Sequence, residues 1–467
     1  MRSCNRALSF AIGMVAAIVL LAGCAQTDPY RTRTDSGTTL CEPSRGDSGA
    51  AVRRGVPGGS VGAECAELYT ERSASYRLHI VEFDDQGWVH DSVGTSTAEH
   101  QIDSAVHHIK KTLEGGQKVR LFVYVHGWRH FAAYDDSDVK QFRLFLQEMN
   151  GASNGAQVIG IYVGWRGLPI DDIVPLTYLT FWDRKRAAER VAQGSVRELF
   201  GRLHALSAYK SSPVGIALPT KKPGKTDEAR LRTYVIAHSF GSSVAFRALS
   251  QSVVDSFTGD LDTEAAAVSR FVDMVVLVNP AIEASRFEVV RRSALKRQTL
   301  CEAANKPFCD QPKYQAPVLT IFQSKGDWAT EKTFPIGAVL GNLFQKEITA
   351  EEKHANRHTI GWDDRYQTHD MAEVASCNAA PSEGPPHHED LEGIDRYARP
   401  GWKWCVTKDN ISINHLGAME GKTAYNGPFW NIRVDASIIA NHDDIWNPRF
   451  RSVLIRMFAD EGANPLR

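Results

Sequence analysis

The chain has 467 residues, of which 43% are hydrophobic and 23% are charged. This is an ordinary globular composition, and the length is sufficient for one large enzyme domain with insertions. The formal net charge is −1, and the sequence has no basic stripe or arginine-rich run, so nothing in it points to nucleic-acid binding.

The first 23 residues have the pattern of a secretory signal peptide. Two arginines, at positions 2 and 6, precede an apolar run over 7–22 that is short for a membrane span. The run ends in the motif Leu-Ala-Gly-Cys at 21–24, which resembles the lipobox of bacterial lipoproteins. That resemblance implies removal of residues 1–23 and acylation of Cys24, which would anchor the protein to a membrane of the cell envelope, facing the periplasm or the exterior. A plain signal peptide is the alternative.

Residues 24–74 are predicted to form a flexible tether between the anchor and the folded domain. Ser, Thr, Gly, Arg and Asp are abundant in this segment, and it shows no apolar period. The folded domain is therefore expected to begin at about residue 75.

Six cysteines follow Cys24 in the sequence, and an even number in an exported protein suggests disulfide bonds. Six cysteines allow fifteen connectivities, of which pairing between sequence neighbours is one. None has Cys-x-x-Cys spacing, so a structural zinc site is not expected. These candidate disulfide residues are Cys41, Cys65, Cys301, Cys309, Cys377 and Cys405.

From residue 75 the chain alternates short apolar runs with helical stretches. A strand at 76–83 is followed by a turn at 84–87, a short return strand at 88–89 and a helix at 96–113. Near-continuous apolar runs are typical of strands buried on both faces, and their alternation with helices predicts an α/β fold with a mostly parallel sheet. The runs lie at 120–125, 158–163, 233–237, 274–278 and 317–322, and the helices at 138–149, 184–207 and 240–251.

A serine motif joins one of these runs to the next helix. Ala-His-Ser-Phe-Gly at 237–241 resembles the nucleophile elbow of the α/β-hydrolases, Gly-x-Ser-x-Gly, although Ala237 replaces the first glycine. The elbow must be a tight turn that lifts the serine hydroxyl above the sheet. The resemblance therefore implies an α/β-hydrolase fold with Ser239 as the nucleophile.

An earlier turn completes the resemblance. His126-Gly127-Trp128 ends the strand at 120–125, like the oxyanion-hole turn of the same family. By that resemblance, the backbone N–H groups of Trp128 and Phe240 would stabilise the oxyanion. His126 is interpreted as structural, because the general base comes last in the family's order of serine, acid and histidine.

The acid and the base are assigned by position. Asp327 follows the strand at 317–322, in a turn that contains glycine, and Glu283 is the rival acid. A last strand is predicted at 434–440, and His442 follows it, which is the family's place for the general base. His369 and His415 are the alternative bases.

The acid and the base are far apart in the sequence, so a long excursion is expected between them. The core is predicted to comprise 75–330 and 430–467, with 331–429 as an insertion that could form a lid or cap. The insertion contains a His-His-Glu-Asp run at 387–390 without metal-ligand spacing, which is interpreted as a solvated loop; no metal and no cofactor are expected.

These features predict a serine hydrolase that cleaves a small-molecule or lipid ester, or a thioester, through an acyl-serine intermediate. The alternative is a non-catalytic envelope lipoprotein that uses the same fold as a binding scaffold. The sequence gives no indication of a protein partner.

Overall fold

The computed structural model describes thirteen parts of the chain and centres on one large sheet. The described residues are 29–31, 65–67, 69–90, 98–167, 181–206, 230–258, 272–303, 317–335, 338, 349–375, 403–406, 409–416 and 429–462. Within them, twelve strands form a single sheet in the order β1-β2-β3-β5-β4-β6-β7-β8-β12-β9-β11-β10.

The strands are numbered along the chain as follows: β1 (Cys65–Glu67), β2 (Thr70–Arg72), β3 (Arg77–Phe83), β4 (Val119–Val125), β5 (Gln157–Trp165), β6 (Leu231–His238), β7 (Met274–Val278), β8 (Leu319–Ser324), β9 (His369–Glu373), β10 (Lys403–Val406), β11 (Ile411–His415) and β12 (Phe429–Val434). From β3 through to β9 in the sheet order, every neighbouring pair is parallel. The outer pairs on both sides are antiparallel.

The described helices are α1 (Ala98–Glu114), α2 (Ser137–Gly151), α3 (Phe181–Gln193), α4 (Val196–Ala205), α5 (Phe240–Thr258), α6 (Ala284–Ala303), α7 (Ala350–Arg357) and α8 (Pro448–Gly462). Apolar side chains of α1 and α3–α6 pack on one face of the sheet, and those of α2 and α8 pack on the other. None of these helices is long and apolar enough to cross a membrane.

The middle strands are buried on both faces because helices cover both. Every residue of β4, β7 and β8 is buried, which agrees with their near-continuous apolar sequence. Four of the predicted apolar runs lie within strands and the fifth, 317–322, overlaps β8 from Leu319, and the mostly parallel sheet flanked by helices is the architecture that we predicted.

Two predicted elements differ from the structure in their limits. The helix expected over 184–207 is two helices, α3 and α4, because the N–H of Ser195 donates to the carbonyl of Gly87 instead of continuing the helix. The last strand is β12 at 429–434 and not 434–440, since the carbonyl of Asp435 accepts from the N–H groups of Ile438 and Ile439 and closes a turn.

The sheet also begins earlier than expected. β1 and β2 lie inside the segment that we predicted to be a tether, and β2 pairs with β3. Glu71 on β2 is buried and accepts hydrogen bonds from Arg31 and Arg143. These polar contacts hold the edge in place without the apolar pattern that would predict a strand.

The described parts of the predicted insertion likewise continue the sheet. β9 pairs with β12 in parallel, and β11 and β10 follow in antiparallel. Met371 and Ile413 are completely buried in the same apolar cluster as β12 and α8. This part of 331–429 therefore extends the core, and whether the remainder forms a lid stays untested.

Several predictions concern residues outside the described parts. These are the signal peptide, Cys24, the His-His-Glu-Asp run, and the cysteines at 41, 309 and 377. Cys65, Cys301 and Cys405 lie in β1, α6 and β10, but their side chains are outside the description too. The disulfides stay a prediction.

Candidate active site

Ser239 occupies the tight turn between β6 and α5. Its φ is +53°, in the left-handed region that side chains other than glycine rarely adopt. The turn is held because the N–H of Ser239 donates to the carbonyl of Val278, 3.1 Å away, while the carbonyl of Ser239 accepts from the N–H of Ala281. Backbone held in this region by its surroundings is typical of functional sites.

Small residues around the serine allow the turn to close. A Cβ on Gly241 would lie 2.3 Å from the carbonyl oxygens of Val125 and His126, so only glycine fits where α5 passes the end of β4. Ala237, which replaces the first glycine of the motif, is completely buried in β6. The departure from the family pattern is thus accommodated.

His442 lies between the serine and the aspartate. It follows the turn at 435–440, after β12, and its Nε2 is 2.8 Å from the Ser239 Oγ. Its Nδ1 is 2.8 Å from Oδ1 of Asp327. Since a carboxylate only accepts, the proton of the neutral ring is on Nδ1, and the serine hydroxyl donates to Nε2.

Asp327 follows β8 and is completely buried. Besides His442, its carboxylate accepts from the Nε2 of Gln323 at 3.1 Å, the N–H of Thr330 at 3.1 Å and the hydroxyl of Thr330. Burial acts to raise the pKa of Asp327, but His442 and the bonds from Thr330 outweigh it and lower the pKa to about 2. The group is therefore a carboxylate at neutral pH.

The interaction between Asp327 and His442 shifts the pKa of the histidine in the opposite direction. Burial lowers the pKa of His442, and the Asp327 carboxylate, with a smaller contribution from Asp443, more than offsets this. The net effect is a pKa raised above the ordinary value of 6.5. A more basic imidazole is a better acceptor for the serine proton.

Two further side chains fix the backbone of His442. Its carbonyl accepts from Nδ2 of Asn279 and from Nε2 of His238, each at 2.9 Å. Asn279 also accepts from the N–H of Ser324 at 2.9 Å, so one side chain ties the ends of β7 and β8 to the histidine loop. Burial, reinforced by the neighbouring His442, lowers the pKa of His238 to about 3 and keeps that ring neutral.

Sequence reasoning missed Asn279, His238, Gln323 and Thr330. A signal for Asn279 exists: it is a polar residue directly after a buried apolar strand, as the site residues near the ends of β6 and β8 are. Gln323 and Thr330 flank Asp327 and could be found only once that aspartate had been placed.

The predicted oxyanion turn lies against the nucleophile. A Cβ on Gly127 would be 3.0 Å from the Cβ of Ser239 and 2.6 Å from Nδ1 of His238, so the backbone comes very close there. Trp128 is the next residue, and Phe240 directly follows the serine. The two predicted donors thus belong to residues adjacent in sequence to Gly127 and to Ser239, and their role stays a prediction.

His126 fixes the turn at 126–128 through two hydrogen bonds. Its Nε2 accepts from the N–H of Trp165 at 3.0 Å, and its Nδ1 donates to the carbonyl of Gly127 at 2.8 Å. Burial lowers the pKa of His126 to about 4, so the ring is neutral. These contacts agree with a structural interpretation.

The rival residues have other partners. Glu283 forms an ion pair with Lys185, in which both side chains are largely buried. His369 lies on β9, where its ring contacts the Thr368 hydroxyl and the Trp430 ring. His415 pairs with His369 across β11 and β9, and its side chain is outside the description. Asp327 and His442 are the candidates that the structure brings to Ser239.

One group of potential metal ligands occurs among the described residues: His238, His442 and Asp443, with ligand atoms within 4.8 Å of one another. Both ring nitrogens of His442 already contact Ser239 and Asp327. Nε2 of His238 donates to the carbonyl of His442. These contacts orient the His442 ring between Ser239 and Asp327.

Comparison with known protein families agrees with the fold class that the sheet shows. Residues 225–361 match the family model described as "alpha/beta hydrolase of unknown function (DUF900)". The chain has an α/β-hydrolase fold. The match includes Ser239 and Asp327, whereas the turn at 126–128 and His442 lie outside it. Neither the curated proteins nor the solved structures include a significant match to this chain.

Proposed function

We propose that the protein is a serine hydrolase that cleaves carboxylic esters or thioesters through an acyl-serine intermediate. The observation that carries the proposal is the His442 ring, whose two nitrogens lie 2.8 Å from the Ser239 hydroxyl and 2.8 Å from the Asp327 carboxylate. The carboxylate holds Nδ1–H, which leaves Nε2 as the acceptor that faces the nucleophile.

The first half-reaction follows from this order. Nε2 of His442 takes the proton of Ser239 as Oγ attacks the ester carbonyl, and the buried Asp327 carboxylate stabilises the imidazolium. The carbonyl oxygen gains negative charge beside the N–H groups of Trp128 and Phe240 and the N-terminus of α5. His442 then donates its proton to the departing alkoxide or thiolate, which leaves an acyl-serine.

The second half-reaction uses the same groups. Nε2 of His442 accepts a proton from water, and the resulting hydroxide equivalent attacks the acyl carbonyl. Collapse of the tetrahedral intermediate releases the acid and returns the proton to Oγ of Ser239. No cofactor is required for either step.

A panel of p-nitrophenyl esters and alkyl thioesters of increasing chain length tests this proposal. We expect turnover by wild type, and a loss of at least about a thousandfold in Ser239→Ala. Ser243→Ala is a matched control, because Ser243 is a buried serine in the first turn of α5, four residues after Ser239. Absence of turnover across the panel by the folded protein would favour the non-catalytic scaffold.

We also propose that Cys24 carries the lipid anchor, on the basis of the motif at 21–24. Palmitate fed to expressing cells should label wild type and not Cys24→Ser. Equal labelling of both proteins would contradict the assignment.

A further inference from the structure

Residues 29–31 are docked on the domain. The backbone N–H groups of Tyr30 and Arg31 donate to the two carboxylate oxygens of Glu82, at 2.7 and 3.2 Å. The side chain of Arg31 is completely buried and pairs with Glu71. The ring of Tyr30 stacks on Phe131 with centroids 4.6 Å apart. A segment predicted to be a free tether therefore makes specific contacts that include a buried ion pair.

The contacts of Tyr30 lie at the edge of the sheet that carries the candidate active site, whereas the Arg31 side chain extends to Glu71, which pairs with Leu78 near the amino end of β3. Glu82 is near the carboxyl end of β3, and Phe131 is on the loop after β4. Ser239 follows the carboxyl end of β6, and the parallel strands between them run in the order β3-β5-β4-β6. With about 4.8 Å between neighbouring strands, the docked segment is about 15 Å from the serine.

Covalent geometry then limits where a lipid on Cys24 can lie. Five residues lie between Cys24 and Tyr30, and the six Cα–Cα steps span at most about 20 Å in any conformation. The full predicted tether of 24–74 would reach much farther. Docking of residues 29–31 thus keeps the acylated cysteine near the active-site edge.

Two tryptophans are exposed at the same edge. Trp88, after the turn that follows β3, is 71% exposed, and Trp328, after β8, is 61% exposed. β6 lies between β3 and β8 in the sheet order, so the two indoles flank Ser239. Indole side chains favour the interface between water and lipid, where the ring is apolar on one side and can hydrogen-bond on the other.

We propose that the carboxyl edge of the sheet docks on the surface of a phospholipid bilayer. The segment 29–31 keeps the anchor beside this edge, and Trp88 and Trp328 insert at the interface on either side of Ser239. The substrate is then an acyl ester of an amphiphile in the membrane that carries the anchor. This substrate class depends on the proposed hydrolase function, whereas the docking itself does not.

The docking is tested with the full, lipidated protein in vesicles of zwitterionic phospholipid that contain brominated acyl chains. The chain has ten tryptophans, and we expect bromine to quench chiefly two of them. Most of the quenching should be lost in the double variant Trp88→Ala/Trp328→Ala. Leu144→Ala is the control, because Leu144 is also exposed but lies in the middle of α2. Unchanged quenching in the double variant would overturn the docking.

The substrate class is tested by comparing a long-chain ester embedded in the vesicles with a short soluble ester. We expect Trp88→Ala, and separately the pair Tyr30→Ala/Arg31→Ala, to lower turnover of the embedded ester about tenfold while turnover of the soluble ester stays within about twofold. Equal effects on both esters would overturn the inference. No turnover of either ester by wild type would instead contradict the hydrolase function, and the quenching would still report on docking.

Discussion

The middle of the sheet and its two flanks are built differently. β4, β6, β8 and β12 are parallel and largely buried, and the turn at 126–128, Ser239, Asp327 and His442 lie beyond their carboxyl ends at one edge. The flanks, β1–β2 on one side and β9–β11 on the other, include short and partly polar strands that pair antiparallel at the outside. We expect changes in the middle to affect chemistry and changes in the flanks to affect stability.

The largest expected effect is at Asp327. Asp327→Asn should lower kcat/KM by about 10³- to 10⁴-fold, because the amide no longer stabilises the imidazolium or fixes the protonated nitrogen. Glu283→Gln is the matched control: Glu283 is also a largely buried acid, but it pairs with Lys185, so the rate should change less than about tenfold. Steady-state kinetics on both variants decides between the two acids, and the reverse ranking would show that the wrong acid was chosen.

Two completely buried isoleucines, one in a flank and one in the middle of the sheet, test the difference between these regions. Ile413→Ala on β11 should lower the free energy of unfolding by about 2–5 kcal/mol and leave kcat nearly unchanged below the melting transition. Ile432→Ala on β12 should cost a similar amount and also lower kcat, because β12 leads into the His442 loop. Denaturant unfolding and kinetics on both variants check this. A loss of kcat in Ile413→Ala as large as in Ile432→Ala would remove the distinction between flank and middle.

Asn279 tests how the middle of the sheet positions the candidate general base, His442. Its φ is +46°, which glycine adopts without strain, so Asn279→Gly removes the bonds to the carbonyl of His442 and the N–H of Ser324 while retaining the backbone conformation. We expect kcat to fall about ten- to a hundredfold with little change in KM, since a small misplacement of the histidine is sufficient. A purely structural role would lower the melting temperature and leave kcat unchanged.

The pH dependence gives the smallest and most graded effect. The pKa of His442 is raised above 6.5, so kcat/KM should fall tenfold per pH unit below a midpoint that lies above 6.5. In Asp327→Asn the midpoint should move to lower pH, because that carboxylate causes the upward shift. An unshifted midpoint in the variant would indicate that another group controls the acid limb.

Asp327 and His442 both contribute to stability, and the two contributions are lost in opposite directions of pH. The pKa of Asp327 is lowered from 3.8 to about 2, so its contribution is present above about pH 4 and is lost as the pH falls towards 2. The contribution of His442 is present below about pH 6.5 and is lost as the pH rises through its raised pKa. Thermal melting of wild type and Asp327→Asn across this range should show both losses in wild type alone.

The middle strands of the sheet could be predicted from the sequence. Helices cover both faces of these strands, so their residues form continuous apolar runs. Ser239 and Asp327 follow such runs closely, so their positions could be predicted. His442 was predicted after a strand, although the strand ends at Val434 and a turn intervenes. The buried isoleucines of that turn, Ile438 and Ile439, gave it the apolar pattern of a strand.

The remaining features depend on contacts between distant parts of the chain. Asn279 acts on a carbonyl 163 residues away, and Arg31 is held by an acid 40 residues away. β2 contains Glu71, whose burial makes sense only with Arg31 and Arg143 beside it. No local pattern encodes such pairings, so the docked segment and the sheet edges were visible only in the fold.

Reaction with a fluorophosphonate probe tests most directly whether Ser239 is an activated nucleophile. We expect the folded wild type to take up one probe per chain, on the peptide that contains Ser239, and Ser239→Ala to take up none. His442→Ala should react far more slowly, because the hydroxyl loses its proton acceptor. Absence of labelling in folded wild type, or equal labelling of Ser239→Ala, would show that Ser239 is not an activated nucleophile.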